Sequence, residues 1–154
     1  MSRTADELLS YHKLVNGQDG SPHKGIVVEP GCWKTKNILI VDDMEANYLI
    51  LKMALQRTGA GISWAQNGKQ AVELFSQTGT FDLILMDILM PEMDGFEATR
   101  RIKQIRPGVP VIAQTAYTYD DMALKHGDAP FDGYLIKPIW QADLFNKCAR
   151  FLDK

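Results

Sequence analysis

Apolar positions along this chain come in short unbroken runs, not in alternation. NILIV (37–41), ISWAQ (62–66), FDLILMD (81–87), VPVIAQT (109–115) and DGYLIK (132–137) read as five strands. Helical spacing fills the gaps. Residues 44–58 put Asn47, Leu51, Ala54, Leu55 and Thr58 on one side, and further helices are expected over 67–77, 95–105 and 140–152. A short, weak helix is expected over 119–126. Gly59, Arg106-Pro107-Gly108 and Gly127 punctuate the pattern. Strands without alternation are covered on both faces, so alternating strands and helices predict an α/β fold: a doubly wound, five-stranded parallel sheet with right-handed crossovers.

Upstream of residue 37 the pattern changes. Residues 1–15 predict a short N-terminal helix, with Thr4 and Glu7 at capping-box spacing and Asn16-Gly17 as its stop. His12 reads as a solvent-facing helix residue. Residues 16–36 carry several glycines and prolines and read as a linker, whose Ile26-Val27-Val28 and Cys32-Trp33 have the apolar surface to pack on a neighbour. The expected division is 1–36 helix and linker, and 37–154 one domain.

Composition narrows the classes. The chain has 154 residues, 45% of them hydrophobic, enough for one domain with a packed core. A net charge of −2 gives no reason to expect a nucleic-acid partner. Two cysteines far apart form neither a disulfide framework nor a zinc spacing and suit a reducing compartment. No apolar run is long enough to span a membrane, no secretory signal core is present, and the expected location is cytoplasmic.

The candidate chemistry lies at the strand ends. In an open parallel sheet the functional crevice lies beyond the carboxyl ends of the strands. Asp42 and Asp43 follow the first strand there, Asp87 ends the third, Thr115 the fourth and Lys137 the fifth. Two carboxylates about 5 Å apart repel by roughly 3 kcal/mol at an effective dielectric near 20. A hard divalent cation would offset this, and Mg²⁺ suits a site with few carboxylates. Lysine and a hydroxyl beside such an ion suggest a bound phosphoryl group, with an aspartate as nucleophilic acceptor. Each residue alone has a blander reading. Asp42-Asp43 would cap a helix, Asp94-Gly95 would start one, and Arg100, Arg101, Lys103 and Arg106 would form a solvated face.

Together, ILIVDD, LILMDILMPEMDG, TA and YLIKP resemble, in order and spacing, the receiver domain of two-component response regulators, over about residues 37–153. The resemblance implies a flavodoxin-like sheet of strand order 2-1-3-4-5 with Asp87 as phosphoacceptor. It implies Mg²⁺ held by Asp43, Asp87 and the backbone carbonyl of Leu89, with Asp42 acting through water. Thr115 and Lys137 would hold phosphoryl oxygens, Tyr134 would be an aromatic switch, and Lys137-Pro138 would be a cis peptide. The partner would be a histidine kinase or a phosphotransfer helical bundle, docking beside the pocket near Leu49, Met53 and Pro138. A monomer or weak dimer is expected. Wording such as MDILMPEMDGFEATRRI is similar to receivers of hybrid sensor kinases, so the chain would be the cytosolic end of such a kinase or a single-domain regulator. A Mg²⁺-dependent phosphohydrolase and an unphosphorylated receiver-shaped binding module are the alternatives.

Departures from the family pattern carry expectations of their own. ALKHG stands early relative to GYLIKP, and DAPF fills the gap, which predicts a fourth helix shortened by about one turn. An apolar Leu89 and a bulky Tyr117 near the pocket predict slow self-dephosphorylation.

Overall fold

The computed structural model describes residues 28–116 and 129–153. The expected N-terminal helix over 1–15 with His12, the helix over 119–126 and Tyr117 lie outside the described residues.

Five strands, β1 (Asn37–Val41), β2 (Gly61–Ala65), β3 (Leu83–Asp87), β4 (Val111–Thr115) and β5 (Gly133–Ile136), form one parallel sheet. Their order across it is β2-β1-β3-β4-β5. Helices α1 (Glu45–Leu55), α2 (Gly68–Thr78), α3 (Gly95–Ile105) and α4 (Gln141–Leu152) cover them. The central strands β3 and β4 are buried along their whole length, as their unbroken apolar runs require.

Side chains alternate across the sheet, so each strand feeds two cores. Ile38, Ile40, Leu83, Leu85, Ile112 and Leu135 meet Leu51 and Leu55 of α1 and Leu144, Phe145 and Cys148 of α4. Leu39, Val41, Ile84, Met86 and Val111 meet Ala71 and Phe75 of α2 and Ala98 and Ile102 of α3.

Local sequence sets the ends of the elements. The helix expected over 44–58 ends its α-helical part at Leu55, and Gln56–Thr58 tighten into a 3₁₀ turn. The Thr58 hydroxyl donates to the Leu55 carbonyl at 2.6 Å, and Gly59 takes the left-handed conformation that closes the turn. Asn67 caps α2 by accepting from the Gln70 N–H, and Asp94 caps α3 by accepting from the Glu97 N–H. The third strand starts at Leu83, later than the apolar pattern suggests. Phe81 stacks on Phe75 instead, and the Asp82 carboxylate accepts from the Asn37 N–H.

Residues upstream of β1 take part in the packing. Val28 and Trp33 are buried in the core between α1 and α4. The Trp33 indole N–H donates to Asp153 Oδ1 at 2.6 Å, and its backbone N–H donates to the Thr58 carbonyl. The packed unit therefore reaches back at least to Val28, with the start of the linker read from sequence outside the described residues.

Candidate functional site

The ladder registers bring the candidate residues to one edge. Val41 pairs with Met86, Asp87 with Gln114, and Thr115 with Ile136. Asp42 therefore stands beside Asp87, and Lys137 stands one residue beyond the partner of Thr115. Strand parity also sorts them. Asp42, Asp87 and Lys137 continue the side of Ile40, Leu85 and Leu135, whereas Thr115 and Tyr134 belong to the opposite side.

Carboxylate oxygens of Asp42, Asp43 and Asp87 lie within 4.8 Å of one another. Asp42 and Asp87 are buried and Asp43 is exposed. Lys137 Nζ stands 3.4 Å from Asp87 Oδ1 and 3.9 Å from Asp42 Oδ2. One ammonium thus faces three acids. Burial pushes the Asp87 carboxyl up to about 6, against the pull of Lys137, with Asp42 and Asp43 adding to the rise. Burial raises Asp42 as well, opposed by the Met44 N–H and Lys137.

The Met44 N–H donates to Asp42 Oδ1 at 2.9 Å, so Asp42 ties down the turn into α1. Its other oxygen, Oδ2, is buried and has no hydrogen-bond donor among the described residues. A buried carboxylate oxygen without a donor, among acids with too little positive charge, is the environment that a hard, oxygen-loving cation or its water completes. The donor set fits Mg²⁺ on that ground.

The remaining predicted residues surround this pocket. Thr115 is buried at the end of β4, and its carbonyl accepts from the Lys137 N–H at 2.7 Å. The Lys137-Pro138 peptide is cis, as the resemblance implies. Tyr134 is half-buried against the small cluster of Ile88, Phe96 and Ala113, edge-on to Phe131 at 5.9 Å. The Leu89 side chain is exposed. Leu49 and Met53 lie exposed on α1. Between α1 and the loop after β5 runs a cleft of about 360 Å³, lined by Asn47, Ile50, Leu51, Gln114, Lys137, Pro138 and Ile139.

One residue matters more here than its sequence context suggested. Asp94-Gly95 reads as a helix-starting turn, and Asp94 serves as that cap. Gly95, however, also lies against the end of β3. A Cβ on it would stand 2.3 Å from the Asp87 carbonyl oxygen and 2.9 Å from Ile88 Cα. Its N–H donates to the Ile88 carbonyl at 2.9 Å. The only sequence signal is that a glycine follows the cap.

A doubly wound parallel sheet, with three acids and a strand-end lysine converging at its carboxyl edge, defines an open α/β domain built around an acidic pocket. The chain belongs to the response regulator receiver domain family, whose model matches residues 38–149. It is 37% identical over 141 residues to a probable histidine kinase 6 of Oryza sativa subsp. japonica, covering 76% of this chain and 14% of that protein. It is 32% identical to histidine kinase 2 of Arabidopsis thaliana, covering 91% of this chain and 14% of that one. The chain thus spans about a seventh of these relatives.

Among solved structures it is similar to the receiver domain of a sensor histidine kinase from Pseudomonas aeruginosa PAO1, which has magnesium coordinated in its active-site cleft. The TM-score is 0.70 at 30% identity, covering 77% of this chain and 98% of that one. It is also similar to the response regulator TrrA from Thermotoga maritima in complex with Mg²⁺ and BeF, with a TM-score of 0.69 at 32% identity, covering 76% and 99%. Its function is that of a receiver domain in two-component signalling, and the phosphohydrolase reading is not favoured. Receiver domains interact with histidine kinases or phosphotransfer proteins. Among the described residues no helix is long and apolar enough to cross a membrane.

Proposed function

We propose that Asp87 accepts the phosphoryl group from a phosphohistidine of a histidine kinase or a phosphotransfer helical bundle. The observation that carries this reading is the ammonium of Lys137, 3.4 Å from Asp87 Oδ1, beside two further acids. Asp87 attacks phosphorus in line. An O–P bond forms as the N–P bond to imidazole breaks, and the imidazole nitrogen keeps the electron pair and takes a proton from solvent. Asp43, Asp87 and the backbone carbonyl of Leu89 would hold Mg²⁺ directly, and Asp42 would act through water. When bound, Mg²⁺ offsets the charge of the acids and of the incoming phosphoryl oxygens.

Lys137 pairs with one phosphoryl oxygen, and the Thr115 hydroxyl donates to another. Movement of Thr115 toward the new dianion opens space that Tyr134 fills, which biases a two-state surface around the helix expected over 119–126, β5 and α4. Leu49, Met53 and Pro138 dock the partner bundle, because apolar area next to the pocket brings a helical donor within reach of Asp87. Similarity to plant histidine kinases supports a hybrid kinase as the parent protein.

Incubation with acetyl phosphate tests the reading. The expected result is a mass gain of one phosphoryl group that needs Mg²⁺ and is lost in Asp87→Asn. Phosphorylation that survives in Asp87→Asn would overturn it, and steady turnover of phosphate monoesters would restore the hydrolase alternative.

A further inference from the structure

The carbonyl of Asp42 lies just past the end of β1. Its own N–H is still in the ladder and donates to the Ala65 carbonyl at 3.1 Å. Among the described residues no backbone N–H donates to the Asp42 carbonyl. The side chain of Trp64 supplies one: its indole N–H donates to the Asp42 carbonyl oxygen at 2.9 Å. The peptide unit between Asp42 and Asp43 is thereby held by a side chain from the edge strand, while Asp42 Oδ1 is held by the Met44 N–H.

The indole is itself braced. Tyr48, in the first turns of α1, stacks on Trp64 with ring centroids 4.6 Å apart and planes 5° from parallel. The Lys52 ammonium lies 5.8 Å from the Tyr48 ring centroid, one turn further along the helix. Trp64 thus holds the carbonyl, and Tyr48 and Lys52 form a stack behind it. Only tryptophan among the aromatic residues has a ring N–H on a body large enough to stack in this way.

We propose that Trp64, braced by Tyr48, is a positioning residue for the cation site: it fixes the Asp42–Asp43 peptide and so sets where the Asp43 carboxylate points. It touches neither the ion nor the phosphoryl group. This inference rests on the reading of Asp43 and Asp87 as Mg²⁺ ligands. Asp43 is exposed and lacks the packing that holds Asp87, so its placement depends on its backbone. Outer residues that orient metal ligands commonly change affinity by about 10- to 100-fold when lost.

The experiment is an NMR titration of ¹⁵N-labelled protein with Mg²⁺, which reads affinity and folding in the same spectra. Trp64→Phe keeps a ring against Tyr48 and removes the N–H. The expected result is a dispersed, native spectrum with the Mg²⁺ dissociation constant raised about tenfold. Amide hydrogen exchange at Asp43 and Met44 should be faster, with that of β4 unchanged. A dissociation constant within twofold of the parent protein would overturn the proposal. If Trp64→Phe does not fold, Tyr48→Leu decides. It leaves the N–H but removes the brace, and unchanged Mg²⁺ affinity there would equally overturn the proposal. The parent protein and Asp87→Asn separate the two levels. No Mg²⁺ shifts in the parent protein, or undiminished ones in Asp87→Asn, would sink the ligand reading itself, whereas a loss confined to Trp64→Phe belongs to Trp64.

Discussion

Lys137 sets its ammonium 3.4 Å from Asp87 Oδ1, across the edge of the sheet from a strand fifty residues earlier in the chain. The same ammonium is 3.9 Å from Asp42 Oδ2, which has no hydrogen-bond donor among the described residues. Lys137 therefore has two roles. It offsets buried negative charge, and under the proposed function it is the cation that meets an incoming phosphoryl oxygen.

Replacing Lys137 separates those roles. Lys137→Met is expected to slow phosphorylation by acetyl phosphate about 100-fold, the scale of losing one charged stabiliser of the transferring group. Mg²⁺ affinity should hold or rise, because a competing cation has gone. Rates at saturating Mg²⁺ and a Mg²⁺ titration of the same variant check this. A rate restored merely by adding Mg²⁺ would show that Lys137 acts on the ion and not on the phosphoryl group.

The acids make a prediction about pH. In the metal-free protein the Asp87 carboxyl is raised from 3.8 to about 6, mainly by burial. Folding thus favours the protonated form. That contribution is fully present below about pH 4 and is lost as pH rises through 6. Asp42 shifts in the same direction. Urea unfolding with EDTA present should show lower stability at pH 7.5 than at pH 5, by on the order of 2 kcal/mol. Asp87→Asn, which carries no charge, should flatten that slope, and Mg²⁺ should restore stability at pH 7.5. A slope that is identical in Asp87→Asn would assign the effect to other groups.

Gly95 makes the most local prediction. Its Cα faces the Asp87 carbonyl so closely that a methyl group would overlap it at 2.3 Å. The obstacle is backbone, which cannot rotate aside. Gly95→Ala should destabilise the domain by about 1–3 kcal/mol, as overpacking does, and should also displace the end of β3. Phosphorylation by acetyl phosphate is expected to fall along with stability. Thermal unfolding and the phosphorylation rate, measured on one preparation, test both. An unchanged rate would mean that the Asp87 side chain does not depend on this contact.

The sheet was legible because its signals are local. Unbroken runs such as LILMD require cover on both faces, and Gly59 and Asp94 mark helix ends by their own chemistry. The acid pocket was legible for a related reason: strand ends in a parallel sheet gather on one edge, so Asp42, Asp87 and Lys137 meet once the strands are placed. Trp64 and Gly95 were not legible. A tryptophan in ISWAQ looks like any strand aromatic, and nothing along the chain says that its N–H reaches a carbonyl twenty-two residues earlier. The contribution of Gly95 likewise depends on how closely α3 approaches β3, which is a tertiary distance. Trp33 was legible only in part: its apolar surface suits packing on a neighbour, but the glycines and prolines around it read as a linker, and which helices it meets is a tertiary matter.

That last point has a measurable consequence. Trp33 is 1% exposed and meets Phe145 of α4 edge-on at 6.4 Å, while its indole N–H holds Asp153 at the end of that helix. Its backbone N–H and that of Gly31 donate to the Thr58 and Arg57 carbonyls at the end of α1. The segment therefore fastens two helices at the edge of the sheet remote from Asp87. Trp33→Ala should cost about 3–5 kcal/mol, the range for removing a large buried aromatic. Trp33→Phe, which keeps most of the bulk and loses the N–H, should cost about 1 kcal/mol. A chain beginning at residue 37 should behave like Trp33→Ala or worse. Below its melting point each variant should still take phosphate from acetyl phosphate at the parent rate, since the pocket lies at the other edge. Urea unfolding together with that rate tests the separation. A chain cut at residue 37 with undiminished stability would show that Val28 and Trp33 rest on the domain without supporting it.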